Sequence, residues 1–225
     1  MTRKSRSGAL LALLLFASTA VAEDFPLPDE LRPDVDFWID IFAEYTTDQG
    51  VLHDNRRLGV VYEVIDYRAD QGRRERQRIV RQRRDQVSKA LKSLATGRRE
   101  NLTAQEQSVL SAWPDGVSNE ELAAAAGRVR HQQGLRNRFR EGLERSGRWR
   151  DYIEREFTAL GVTLDLAALP HVESSYNPDA RSHVGASGIW QFTRSTGRRF
   201  MRVDHVVDER NDPFASARAA GQLLA

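Results

Sequence analysis

Glu173 stands at the end of an apolar stretch, Leu164 to Val172, and precedes Ser174-Ser175-Tyr176-Asn177-Pro178. Thr163 reads as the N-cap of a short helix over that stretch, which puts Glu173 in its last turn. A carboxylate there gains nothing from the helix dipole, whose C-terminal end is negative. Dipole and apolar neighbours both disfavour the ionised form, so the pKa of Glu173 is expected to rise, as suits a general acid near neutral pH. Taken alone, those residues fit a surface glutamate at a fraying helix end equally well. Asn177-Pro178 then forces a turn. The chain continues through Ala180-Arg181-Ser182-His183-Val184-Gly185-Ala186-Ser187-Gly188-Ile189-Trp190-Gln191-Phe192. Gly185 and Gly188, three apart, let the backbone approach a ligand or another stretch of chain. Ser187 is placed to cap a helix starting near Gly188. Gln191 would lie one turn into it, where an amide can read a hydroxyl or acetamido group.

The elements that must position these groups read mostly as helix. A proline-rich lead-in over residues 23–34 is expected to be extended. Phe37, Trp38, Ile41, Phe42 and Tyr45 follow at helical spacing. Leu58 to Tyr67, rich in β-branched and aromatic residues, is the one convincing strand signal. Residues 72–94 form an arginine-rich helix with an apolar stripe of Ile79, Val80, Val87, Leu91 and Leu94. Between Arg68 and Lys92 there are ten basic and three acidic residues, which make either a solvated face or a surface for an anionic polymer. Thr103-x-x-Glu106 and Ser118-x-x-Glu121 both look like capping boxes. The first starts a short helix ending near Trp113-Pro114, the second a longer one reaching about Arg145. Trp149 to Leu160 is a further helix that Gly161 stops. Asp212-Pro213 starts the last one, whose period runs through Phe214, Ala217, Ala220, Leu223 and Leu224 to Ala225.

The spacing Glu-Ser-x-Tyr-Asn-Pro-x-Ala-x-Ser-x-x-Gly-Ala-x-Gly-Ile-x-Gln-Phe, from Glu173 to Phe192, resembles the signature of the soluble-lytic-transglycosylase domain, which has a goose-lysozyme-like fold. Looser landmarks resemble the membrane-bound lytic murein transglycosylase D group. They are Trp38, His53-Asp54, Val60 to Val64, and Asp208-Glu209-Arg210-Asn211-Asp212-Pro213. The resemblance implies cleavage of the β-1,4 bond between N-acetylmuramic acid and N-acetylglucosamine in peptidoglycan, leaving 1,6-anhydromuramic acid ends. It maps the single catalytic carboxylate onto Glu173. It puts Ser182 near the acetamido group and Gln191 in the sugar cleft, with Gly185, Ala186 and Gly188 shaping the turn beside the substrate. Tyr176 and Asn177 are expected to hold the turn, and Asp179, His171 and His183 to be structural. Two positions depart from the family pattern: Thr193 stands where a Met is common and Arg194 where a Pro is common. A later Ala-Tyr-Asn-x-Gly segment that closes the family's cleft is missing from these 225 residues. The catalytic domain is therefore expected to be incomplete, and the 225-residue chain to show weak or no activity by itself.

The expected architecture is mainly α. Residues 1–22 form a signal peptide, 23–147 a helical N-terminal region with a short β segment, and 148–225 the first half of a lysozyme-like transglycosylase domain. The signal peptide rests on Arg3, Lys4 and Arg6, the apolar run Ala9 to Ala17, and Ala20-Val21-Ala22. The run is too short to span ~30 Å of hydrocarbon comfortably. Cleavage implies export to the periplasm, whereas an uncleaved leader would leave only a weak membrane tether. The sequence pI near 9.1 comes mainly from this leader, because the whole chain has 34 basic and 32 acidic side chains and the leader holds three basic and no acidic ones. The near-neutral remainder argues against nucleic acid as a partner and for glycan strands. With no Cys, and five His outside any metal-ligand spacing, neither metal nor cofactor is expected. Two other functions fit the same residues: a non-catalytic peptidoglycan-binding or scaffolding protein, and a lysozyme-type hydrolase.

Overall fold

The computed structural model describes residues 25–225. The expected leader lies outside them. Twelve regular elements follow in order: α1 (Arg32–Ala43), β1 (Gln49–Asp54), β2 (Val61–Asp66), α2 (Arg73–Leu94), α3 (Ala104–Ser111), α4 (Asn119–Ala125), β3 (Val129–Gln133), α5 (Arg136–Ser146), α6 (Arg150–Leu160), α7 (Leu169–Ser174), α8 (Arg194–Gly197) and α9 (Pro213–Leu224). The fold is mainly α with one small sheet, as the sequence led us to expect.

The sheet is larger than its local signals. It has the order β2-β1-β3, both pairings antiparallel, with an irregularity in the β1–β2 ladder between Leu52 and His53. Only β2 falls in the expected strand. β1 contains a glycine and few β-branched residues, and β3 is mostly polar, so neither shows the pattern of a strand. Pairing decides them: β1 is buried from Gly50 to Asp54 between its two neighbours. β3 also interrupts the long helix expected from Ser118 to Arg145, leaving α4 and α5 as separate pieces. The lead-in departs as well. A 3₁₀ turn over Asp29–Leu31 runs into α1, with Pro33 in the first turn, where its missing N–H would have had no helical acceptor.

Two main cores result. α2, α3, α4 and the sheet close over Leu52, Tyr62, Val87, Leu91, Leu94, Val109 and Leu122. α6 and α9 close over Ile153, Phe157, Ile189 and Ala217, together with the Glu173–Phe192 segment. Burying one side chain such as Phe157 fully stabilises the fold by roughly 1.5–3 kcal/mol. The His53-Asp54 landmark belongs to the sheet. Asp54 is fully buried, and its carboxylate accepts from Arg128 Nε at 2.9 Å and from the backbone N–H groups of Arg56 and Arg57. Arg128 also donates to Glu121 at 2.6 Å. Glu121 is thereby drawn away from its own N-terminus: Ser118 accepts from the Glu121 N–H, but the reciprocal half of that capping box is absent.

The Thr103–Glu106 capping box is complete. The buried Glu106 carboxylate accepts from Ser93 Oγ at 2.6 Å, Thr103 N at 2.8 Å and Thr103 Oγ1 at 2.9 Å. The Ser93 bond, then the two from Thr103, hold its pKa down to about 2, against 4.5 for an ordinary glutamate. A depressed carboxylate stabilises the fold fully above its unfolded pKa, and that contribution fades as pH falls through the folded value. Glu106 should therefore contribute fully above pH 4.5 and progressively less toward pH 2. Chemical denaturation at a series of pH values should show a shallower acid-side loss of stability for Glu106→Gln than for the parent. Parallel curves would remove Glu106 from the acid response.

Candidate active site

The segment from α6 to Phe192 is held almost entirely by backbone capture. α6 ends at Gly161 in the left-handed conformation (φ 71°), as its sequence indicated. Thr163 then caps the next stretch, which is two pieces and not one: a 3₁₀ turn over Leu164–Ala168, then α7 with Pro170 in its first turn. Pro170 has no N–H to continue a helical ladder from the preceding turn. Glu173 lies one residue before the end of α7.

The chain leaves α7 through two successive left-handed residues, Ser175 (φ 51°) and Tyr176 (φ 53°). Each costs about 1–2 kcal/mol for a residue with a Cβ. Four contacts hold them in place. The Ser175 carbonyl accepts from Arg145 Nε at 3.1 Å and from Nη2 at 2.8 Å. The Tyr176 N–H donates to Pro170 O at 3.0 Å, and its buried phenol donates to Ala167 O at 2.8 Å. Ser174 Oγ donates to Ile189 O at 2.9 Å, tying the helix to the motif's second half. Burial raises the Tyr176 phenol to about 12, so it remains a neutral donor.

That second half is a compact turn and not a helix. Ser187 bridges to Arg181 and to Phe192, and the expected cap and helix at Gly188 do not form. Gly188 (φ 79°) and Gln191 (φ 49°) both adopt left-handed backbone. Arg210, buried beneath, donates to Gly185 O at 2.8 Å and to Phe192 O at 2.9 Å. Its hydrogen-bonded partner Asp208, at 2.7 Å, keeps it charged and is itself held below the usual carboxylate range by it. Asn211 Oδ1 accepts from Ser187 Oγ at 2.6 Å, and Asp212 caps α9 by accepting from Phe214 and Ala215 N–H. The Asp208 to Pro213 landmark is thus the clamp under the motif.

Glu173 and Gln191 meet in one cleft of about 210 Å³, with Leu169, Trp190, Phe192 and Leu223 among its walls. Glu173 is the one ionisable group among its lining residues. The side chain is exposed, and among the described residues it makes no ion pair or side-chain hydrogen bond, so the fold has no use for its charge. Gln191 donates from Nε2 to Gly188 O at 2.9 Å and to Ala180 O at 3.3 Å, which fixes the amide and turns its Oε1 to other uses.

The remaining residues singled out in the sequence are placed less directly. Ser182 is half-buried outside that cleft, and its Oγ accepts from Ala186 N at 3.0 Å. Gly185, Ala186 and Gly188 build the turn that carries Gln191 and do not line the cleft. Asp179 is exposed, its N–H bonded to Asn177 Oδ1 at 3.0 Å. His171 packs between Phe139 and Tyr176, and burial lowers its pKa. His183 is exposed in the turn. Of the two departures from the family pattern, Thr193 serves the local backbone by capping α8, where its hydroxyl accepts from Thr196 N at 3.2 Å. Arg145 and the aromatic wall formed by Trp190 and Phe192 were not foreseen. Trp190 and Phe192 lie inside the motif and could have been marked by it. Arg145 lies 28 residues ahead of Glu173, with no local pattern to single it out.

Residues 158–225 match the Transglycosylase SLT domain family. Over 70 residues the chain is 37% identical to a curated protein of Alteromonas sp. (strain M-1) named for tributyltin chloride resistance, covering 31% of this chain and 34% of that protein. Over 100 residues it is 33% identical to membrane-bound lytic murein transglycosylase D of Escherichia coli, in strains K12 and O6:H1, covering 43% of this chain and 22% of those proteins. The chain therefore spans about a third of the length of the first and about a fifth of the others. No solved structure matches it.

Proposed function

We propose, from the premise that residues 158–225 carry a transglycosylase SLT domain, that this chain acts as a peptidoglycan lytic transglycosylase. The observation that carries the reading is the pairing of Glu173 with Gln191 in one cleft of aromatic and aliphatic walls, where Glu173 is the sole ionisable lining group. In this reading residues 148–225 are the catalytic region, 23–147 support it from the N-terminal side, and the leader directs export to the periplasm. Among the described residues no helix is long and apolar enough to cross a membrane.

The reaction needs one carboxyl group in two protonation states. Glu173 donates its proton to the glycosidic oxygen as the bond from the muramic acid anomeric carbon breaks. The substrate's acetamido group supports the developing positive charge. Glu173, now a carboxylate, accepts the proton of the muramic acid 6-hydroxyl as that oxygen bonds to the anomeric carbon. The enzyme returns to its starting state, and the products are a free 4-hydroxyl and a 1,6-anhydro end. A two-carboxylate glycosidase needs a second group to activate water or attack the sugar. Here the internal hydroxyl takes that part. Gln191, with its Nε2 engaged by backbone, offers its carbonyl oxygen to a sugar N–H or hydroxyl. Ser182 and the Gly185–Gly188 turn hold that wall.

Mass spectrometry of digested sacculi tests the product. Anhydromuropeptides are expected when these residues are assayed in a chain that also carries the cleft-closing segment. Reducing muramic acid ends instead would replace this reading with a lysozyme-type hydrolase, in which water takes the place of the 6-hydroxyl.

A further inference from the structure

A second cleft, roomier than the first, lies away from Glu173 and shares no lining residue with its cleft. It holds about 810 Å³ between the first turns of α2 and the open face of the sheet. Arg73, Arg76 and Arg81 line the helical wall, and Tyr67, His131 and Gln133 the other. No carboxylate lines it. Arg76 is already engaged: it pairs with Asp48 at 2.9 Å, donates to Gln71 O and Thr47 O, and stacks over Tyr67 at 4.9 Å. Arg73 and Arg81 are exposed and, among the described residues, make no ion pair or side-chain hydrogen bond. Tyr67 Oη and His131 Nε2 are bonded to each other at 2.8 Å, which orders the sheet wall.

The charge placement runs against helix physics. α2 has 22 residues and begins at Gly72 with no side-chain cap. Arg73, Arg74 and Arg76 crowd its first turn, against one acid, Glu75. Cations there oppose the positive end of the dipole and destabilise the helix. Anionic groups in the cleft would answer the free guanidiniums of Arg73 and Arg81. We infer that this cleft binds the carboxylate-bearing peptide attached to the glycan strand. This rests on the peptidoglycan reading for the identity of its ligand. Planar guanidiniums take carboxylates two-pronged, and the polar, roomy remainder of the cleft suits a short peptide and not a lone small ion.

The test is fluorescence anisotropy with the full chain and a dye-labelled muramyl tripeptide bearing two free carboxylates. Saturable binding is expected to weaken at least about tenfold in Arg73→Glu/Arg81→Glu, the loss of one charge-assisted hydrogen bond or more. The control pair Arg74→Glu/Arg78→Glu changes the net charge equally but lies on residues that do not line the cleft. It should bind within about threefold of the parent, as expected of a screened surface charge. The methyl ester of the peptide should bind poorly to all variants. Equal losses in both charge-reversed pairs, ester binding as tight as acid binding, tighter binding of a poly(glycerol phosphate) of matched charge, or no saturable binding would each overturn the assignment. Thermal melts of both pairs show whether folding is intact; if Arg73→Glu/Arg81→Glu unfolds, Arg73→Gln/Arg81→Gln carries the same test. Binding that survives while a chain that also carries the cleft-closing segment yields no anhydro ends from sacculi would sink the transglycosylase reading and leave the cleft standing. The reverse result would sink the cleft alone.

Discussion

In a chain that also carries the cleft-closing segment, Glu173→Gln is expected to lower the release of anhydromuropeptides from sacculi by about 10²- to 10⁴-fold, the usual contribution of a positioned general acid–base. The isosteric amide keeps the volume of the side chain and cannot donate or accept the reacting proton. The expected effect on stability is within about 0.5 kcal/mol, as for a surface substitution away from any special feature. That expectation comes from the fold: Glu173 is exposed and makes no ion pair or side-chain hydrogen bond among the described residues. A loss of activity with an unchanged melting curve therefore reports on chemistry. Retained turnover, at more than about a tenth of the parent rate, would remove Glu173 from the reaction. An inactive variant with an altered melt would assign the residue a structural part instead. Glycan binding measured on sacculi should persist in the variant, because the aromatic and aliphatic walls of the cleft are untouched.

Gly188→Ala should be the most damaging small substitution in the motif. A Cβ built on Gly188 would overlap the carbonyl oxygen of Arg210, a backbone atom that cannot swing aside. The residue is also left-handed, at φ 79°. Left-handed strain and overpacking each cost about 1–3 kcal/mol, so a destabilisation on the order of 4 kcal/mol is expected, with the Gln191 wall displaced. Gly185 gives the comparison. It is left-handed too, at φ 84°, but an added Cβ meets nothing within 4 Å. Gly185→Ala should therefore cost only about 1–2 kcal/mol, the conformational part alone. Urea denaturation of the two variants separates the effects. Equal losses would mean that backbone conformation, and not the contact with Arg210, accounts for the glycine at 188.

The helical elements were legible because each carries its own instructions. α2 shows its apolar stripe in Val87, Leu91 and Leu94, α6 shows its stop in Gly161, and α9 shows its start in Asp212-Pro213. β1 and β3 were not legible. Their residues are ordinary for a loop or a polar helix, and only their place in the sheet, β1 between β2 and a β3 whose ladder runs from Gly50–Gln133 to Asp54–Val129, stabilises them as strands. The turn at Gly188 to Phe192 misled for a related reason. Ser187 has the type of a cap, yet its hydroxyl is drawn to Asn211, 24 residues away.

Composition and spacing by themselves determined the chemistry on offer. They offer a carboxylate at the end of a short apolar stretch, an amide 18 residues on, glycines between them, and no cysteine, and the family resemblance singles that carboxylate out. The family resemblance also marked Asp208 to Pro213 without saying why. Tertiary structure alone decided how those groups meet. Arg210 secures two carbonyls of the turn from below, Arg145 secures the left-handed exit of α7, and Ser174 fastens that helix to Ile189. The reason is physical. Backbone carbonyls in irregular segments need donors, and a long arginine can bring one from anywhere in the chain, so nothing local records it. The same holds for the second cleft. The arginines of α2 were visible as a run, but only the sheet packed beside them leaves Arg73 and Arg81 facing a cavity with no carboxylate to answer them.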